Sequence, residues 1–186
     1  MTCPHFNMLT LDKPLKINIT CQGIITIISP YEFEYKNSLT KNILTGLRRF
    51  CGFEIIENGK SVCILKSNFL GSFYYNKDLE ITYKTSFFRK RRPRSFLVRL
   101  SYLILRNKEP LFNLESQSYS LNFNGRVSVP SVKNFQLVHP TDNTYNILTF
   151  GKIGEKRFVL DYRYPLSALT AFCICLAALD RKYLCD

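Results

Sequence analysis

The chain of 186 residues carries 26 Lys and Arg against 14 Asp and Glu, a formal charge of +12. That length fits one domain with a core of its own, and an apolar fraction of 46% with 15 Phe and 11 Tyr excludes a disordered polymer and leans toward sheet. The positive excess points to an anionic partner (nucleic acid, an acidic membrane face or an acidic protein), the plain alternative being a basic surface that only solvates.

Residues 1–14, with Pro4 and Pro14, read as a loose lead-in, and 15–186 as one domain. No charged segment followed by a long apolar run opens the chain, so no signal peptide is expected. Ile17–Cys21 alternates and is β-branched, and Ile24–Ile28 follows it until Ser29-Pro30, so two strands are expected here. Tyr31–Tyr35 alternates aromatic and acidic residues, and a further strand is placed at Asn42–Thr45. Phe53–Glu57 and Lys60–Leu65 flank Asn58-Gly59, the favoured pair for a type I′ turn, and so predict a hairpin. Further strands are expected at Ser72–Tyr75, Glu80–Thr85, Ser95–Leu100, Tyr119–Phe123, Asn134–Val138, Tyr145–Phe150 and Arg157–Tyr162, with Asn124-Gly125 either a turn or part of an extended stretch.

The run from Pro165 to Leu179 has only Ser167 and Thr170 as polar side chains and shows apolar residues on every helical face. It is either a membrane span or a helix enclosed by protein. Fifteen residues at ~1.5 Å each reach about 22 Å, short of the ~30 Å of a bilayer core, which favours a buried helix with Pro165 in its first turn. A sheet approaching twelve short strands must hide its edges, and closure into a barrel removes them. A barrel that wide cannot be filled by its own side chains, and the helix is the available filling. The expected fold is mainly β: a closed antiparallel barrel of about twelve strands around a central hydrophobic C-terminal helix.

Seven cysteines, Cys3, Cys21, Cys51, Cys63, Cys173, Cys175 and Cys185, form no paired CxxC pattern. Neither a zinc site nor a disulfide framework is expected, and a reducing cytosol is the natural setting. His5 and His139 sit in a loose terminus and beside Pro140, and no residue stands in a nucleophile or metal-ligand motif. Neither enzyme activity, nor a cofactor, nor a bound metal is expected.

Several motifs resemble a known family. Ser118–Val127, Ser131–Val138, Phe150-Gly151-Lys152 and Asp161–Phe172 look like the tubby C-terminal domain, and Asp180-Arg-Lys-Tyr-Leu-Cys-Asp186 is similar to that family's Asp-x-Lys-x-x-Cys-Glu ending. Lys66-Ser-Asn-Phe-Leu-Gly71 resembles the family's Arg-Ser-Asn-x-x-Gly, and Asn107–Asn113 its Asn-Lys-x-Pro-x-Trp-Asn. The match is dense from about residue 118 onward, patchier over 66–117 and weak before that. The resemblance implies a twelve-stranded barrel threaded by a hydrophobic helix. It also implies a monomeric, non-enzymatic protein that binds phosphoinositide head groups, notably phosphatidylinositol 4,5-bisphosphate, at the inner plasma membrane. A nucleic-acid-binding or transcription-related role in the nucleus is the alternative.

The resemblance also implies the binding residues. Lys66 stands where the family has Arg, which keeps the charge but loses the bidentate fork. Leu44-Thr-Gly46 followed by Leu47-Arg48-Arg49 matches, in shortened form, the family's basic run after Leu-Ala-Gly, so Arg48 and Arg49 are carried over with Lys66 as the head-group ligands. The densest charge lies in Arg89, Lys90, Arg91, Arg92 and Arg94, just after Phe87-Phe88. Such a patch suits general membrane attraction, nuclear import or nucleic acid, or simple solvation.

Overall fold

The computed structural model describes residues 19–84, 94–115, 117–139 and 141–180. The strands are β1 (Thr20–Ser29), β2 (Glu32–Asn37), β3 (Ile43–Arg49), β4 (Gly52–Glu57), β5 (Lys60–Ser67), β6 (Phe73–Tyr75), β7 (Leu79–Tyr83), β8 (Phe96–Leu100), β9 (Leu103–Asn107), β10 (Leu111–Asn113), β11 (Ser118–Ser120), β12 (Phe135–His139), β13 (Asp142–Lys152) and β14 (Arg157–Arg163). One helix follows, α1 (Ala168–Leu179). Twelve of the strands close into an antiparallel barrel in the order β1-β14-β13-β12-β9-β8-β7-β6-β5-β4-β3-β2, while β10 and β11 pair only with each other.

The walls obey the two-residue period of a strand. In β7, Leu79, Ile81 and Tyr83 are buried while Glu80 and Thr82 face out. The inward set from all round the ring, including Ile25, Phe33, Tyr35, Leu44, Phe53, Ile55, Leu65, Tyr74, Val98, Leu137 and Phe150, closes on the helix. Within α1, every residue but Leu169 and Thr170 is buried. Wall and helix pack closely at Gly46, where a Cβ would stand 2.8 Å from Leu176 Cδ1 and 3.3 Å from Phe172 Cζ. No described helix is long and apolar enough to cross a membrane.

Each end of α1 has capping partners for its orphan backbone groups. Ser167 caps the start, its Oγ accepting from the Thr170 N–H at 3.1 Å. Helix C-termini favour cations, yet the last turn of α1 has no basic residue of its own. The barrel supplies them: Lys133 Nζ donates to the Leu179 carbonyl at 2.7 Å and Arg94 Nη1 to the Ala178 carbonyl at 3.3 Å. Asp180, just past the helix, is held by Arg48 Nη1 at 2.6 Å and by the Tyr74 hydroxyl at 2.7 Å. The helix therefore ends on the same rim as the turns after β1, β3 and β5.

Several expectations shift in detail. The two strands expected before residue 29 are one, β1, and Ile17 and Asn18 lie outside the described residues. Gly23 does not break it, because the missing side chain leaves room for the Tyr35 ring, which a Cβ would meet at 2.3 Å. The strand placed at Asn42–Thr45 extends to Arg49. β9, a full member of the ring, has no counterpart among the expected strands. The segment Tyr119–Phe123 is not a wall strand: only Ser118–Ser120 pairs, outside the barrel. Asn124 and Gly125 form a turn, both in the left-handed region at φ 50° and 74°. The helix opens at Ala168, and Pro165 precedes it across a cis bond.

Candidate anion-binding site

Arg48 and Arg49 are neighbours on one strand, so their side chains leave it on opposite faces. Leu44 and Gly46 face the interior, and Arg48 shares their parity. Its guanidinium lies 5.6 Å from the centroid of Phe33 and 5.5 Å from that of Phe53, with its charge directed at Asp180. Arg48 is thus an internal latch between wall and helix, apart from the other two expected ligands. Arg49 faces out and is more than half exposed, held by the Glu54 carboxylate through Nε and Nη2. That carboxylate is held below its usual range chiefly by the hydrogen bond from Arg49.

Arg49 and Lys66 come together through the register of three hairpins. Arg49 pairs with Gly52, Gly52 with Lys66, and Lys66 with Tyr75, so the four stand in one cross-strand row. Two strand spacings, about 9.5 Å, separate the two cationic backbones. The residue between them carries no side chain, and this position requires glycine: at φ 116° a Cβ would lie 1.9 Å from the Leu65 carbonyl oxygen. The result is an open saddle with a cation on each side. Lys66 is exposed and has no carboxylate partner among the described residues. The Tyr75 ring, stacked on Phe73 at 5.4 Å, closes the far side of the row. Two cations flanking an open floor can engage a multiply charged anion, with Arg49 offering a fork and Lys66 a mobile point charge.

The other expected basic residues fall differently. Arg94 is turned to the helix end, as described above, and its own carbonyl accepts from Asn107 Nδ2 at 2.9 Å. Arg89, Lys90, Arg91 and Arg92 lie outside the described residues. Beside the helix end, a cavity of about 820 Å³ is lined by Phe96, Phe123, Val127 and Phe135 and by three cationic residues, Arg94, Lys108 and Lys133, of which Arg94 and Lys133 serve the helix carbonyls. His139 accepts locally from the Thr141 N–H. Among the described residues, no group of three or more His, Cys, Asp or Glu could hold a metal ion.

What the sequence reading misses is the set of partners. Glu54 restrains Arg49, Gly52 opens the floor, and Asp180 claims Arg48. The alternation Leu44-x-Gly46-x-Arg48 carries the last of these, once the strand is known to run that far.

Comparison with known proteins bears on this arrangement. The chain is 54% identical to tubby-related protein 1 of Mus musculus over 86 residues, 46% of this chain and 16% of that protein, with the same figures for the Homo sapiens protein. It is 54% identical to protein king tubby of Drosophila sechellia over 82 residues, 44% of this chain and 18% of that protein. These matches span less than a fifth of each relative's own length. The Tub family model matches residues 5–181, nearly the whole of a barrel whose strand order and central helix are described above, and the chain belongs to the Tub family.

Proposed function

We propose that this chain is a non-enzymatic phosphoinositide-binding module that holds a bisphosphorylated inositol head group between Arg49 and Lys66, on the cytoplasmic face of the plasma membrane. The observation that carries this reading is the outward row Arg49–Gly52–Lys66–Tyr75. Phosphates on adjacent ring carbons place several negative charges within a few ångströms, and two cations on separate strands match that better than a single charged run. Arg48 acts behind the site: as the next residue along β3, it fixes the strand against the helix and so fixes where Arg49 begins. The module needs no second copy, since both cations come from one chain.

The nucleic-acid alternative rests on the basic run, of which the described member, Arg94, is committed to the helix end. Vesicles carrying phosphatidylinositol bisphosphates of equal charge but different phosphate positions separate the two readings by co-sedimentation at physiological salt. The expected result is a preference for one isomer, lost in Lys66→Ala while attraction to phosphatidylserine persists. A charge-assisted hydrogen bond is worth ~1.5–3 kcal/mol, so the preferred lipid should bind about tenfold to a hundredfold more weakly to that variant. Lys66→Arg, which supplies the fork, should bind more tightly. Equal binding to all isomers, together with duplex DNA bound as tightly and with a steep salt dependence, would refute the proposal.

A further inference from the structure

Head-group recognition leaves unexplained a group of solvent-exposed hydrophobic side chains beside the cations. Phe50 is 94% exposed, Phe69 76% and Leu70 39%. Chain direction places them together. β3 and β5 run the same way because β4 is antiparallel to both, so the turns that follow them share a rim. Phe50 follows Arg49 directly, and Phe69 and Leu70 come three and four residues after Lys66. The two cations thus stand at the base of two turns whose tips are apolar.

The turn after β5 is built to hold its tip outward. Asn68 Oδ1 accepts from the N–H groups of Ser72 and Phe73 at 2.9 and 3.1 Å, and its Nδ2 donates to Ser72 Oγ at 2.8 Å. The Asn68 carbonyl accepts from the Gly71 N–H at 3.1 Å, and its own N–H donates to the Phe73 carbonyl at 3.0 Å. The Asn68 side chain and the amides of Gly71, Ser72 and Phe73, which would resist leaving water, are thereby paired within the turn. In the shorter turn after β3, the Cys51 carbonyl accepts from the Ser67 N–H at 3.2 Å, tying one tip to the other's base. A turn braced in this way at its base holds its apolar tip out from the barrel, where it can enter the head-group and upper acyl region that favours aromatic side chains.

We infer that this rim is a membrane wedge: Phe50, Phe69 and Leu70 enter an anionic bilayer while Arg49 and Lys66 hold a phosphorylated head group at its surface. The occupant is a lipid bilayer rather than a soluble inositol phosphate, because only a bilayer offers apolar depth next to anionic charge. The inference rests on the head-group reading given above and adds the second half of the contact. Each tip residue adds partition energy that a soluble head group cannot supply.

The chain contains no tryptophan, so Phe50→Trp creates a single reporter at the tip of one turn. On vesicles of phosphatidylcholine, phosphatidylserine and phosphatidylinositol 4,5-bisphosphate, its emission should shift to the blue and be quenched by brominated acyl chains. Phe69→Ser and Leu70→Ser should each weaken vesicle binding about tenfold. Both should retain the wild-type affinity for soluble inositol 1,4,5-trisphosphate, whereas Lys66→Ala should weaken binding to the soluble head group and to these vesicles alike, leaving only the general attraction to phosphatidylserine. Indole emission from Phe50→Trp that stays solvent-like on bound vesicles would overturn the wedge and leave head-group binding standing. A blue shift that grows with protein concentration without vesicles would also overturn it, assigning the tips to a second copy of the chain. If the wild type binds neither vesicles nor the soluble head group, both readings fall.

Discussion

Filling the space at Gly46 tests the packing of wall on helix. An added Cβ would meet both methyls of Leu176, at 2.8 and 2.9 Å, inside normal contact distance. Both the Leu176 and Phe172 side chains are completely buried, so the clash cannot be relieved toward solvent. Gly46 is not among the residues with positive φ, so alanine is not strained there and recovers ~0.5–1 kcal/mol of backbone entropy. Overpacking costs about 1–3 kcal/mol, leaving a net loss of up to about 2.5 kcal/mol for Gly46→Ala. Leu176→Ala alone opens a cavity at a cost of about 2–5 kcal/mol. In the double variant the new methyl enters the vacated space, so the two losses should fall short of additivity by about 1–2 kcal/mol. Urea unfolding followed by circular dichroism gives the three differences, provided the slope of the transition is unchanged. Additive losses, to within about 0.5 kcal/mol, would mean that Leu176 and Gly46 do not touch, and the helix would have to be rotated or displaced.

Three other perturbations probe separate parts of the molecule. Burial pushes the Tyr35 hydroxyl up to about 12 and also raises Tyr74 and Tyr162. Their neutral forms therefore stabilise the fold fully below the unfolded tyrosine value of ~10. That stability drains as pH climbs through 10 toward 12, so phenolate absorbance from this buried set should appear together with loss of circular dichroism. Phenolate titration complete near pH 10 with structure intact would refute it. Glu54→Gln removes the carboxylate that restrains Arg49 and should tighten binding to bisphosphate vesicles severalfold, measured by co-sedimentation. The Glu54 carboxyl is held below its usual range, so its restraint on Arg49 should not vary between pH 5 and 8. Ala171→Arg places a charge at a completely buried helix position and should abolish cooperative unfolding. A soluble, cooperatively melting variant would put that helix face at the surface.

The parts of the fold legible in the sequence are those in which one physical signal dominates. The run from Ala168 to Leu179 is apolar on every face, and only an enclosed helix in a closed wall makes use of that. Asn58-Gly59 specifies a hairpin because both residues adopt positive φ, 49° and 76°. Legibility falls where tertiary contact decides. Leu103–Asn107 offers only three apolar residues after a two-residue turn, too little to announce β9 without its partners β8 and β12. Tyr119–Phe123 alternates like a wall strand, yet the ring closes without it, and Phe123 instead lines a cavity beside the helix end. At the site, residue types are readable and directions are not. Arg48 and Arg49 look equivalent side by side in the sequence, but an acidic residue 132 positions beyond Arg48 takes it inward.

The place of the helix in the chain also sets the order in which the molecule can be made. β1 closes the ring against β14, where the paired residues lie about 130–140 positions further on, and the filling arrives only after that. At a synthesis rate of ~5–20 residues per second, roughly 7–27 s pass between the emergence of these two strands. Throughout that interval the inward faces of β1 to β9 have no partner to cover them, and β1 offers an unpaired edge. Nascent chains of this protein should therefore depend on chaperones that shield apolar strands until the helix has been made. Any slowing of synthesis between β9 and the helix should lower the yield of folded product without changing a single contact in it.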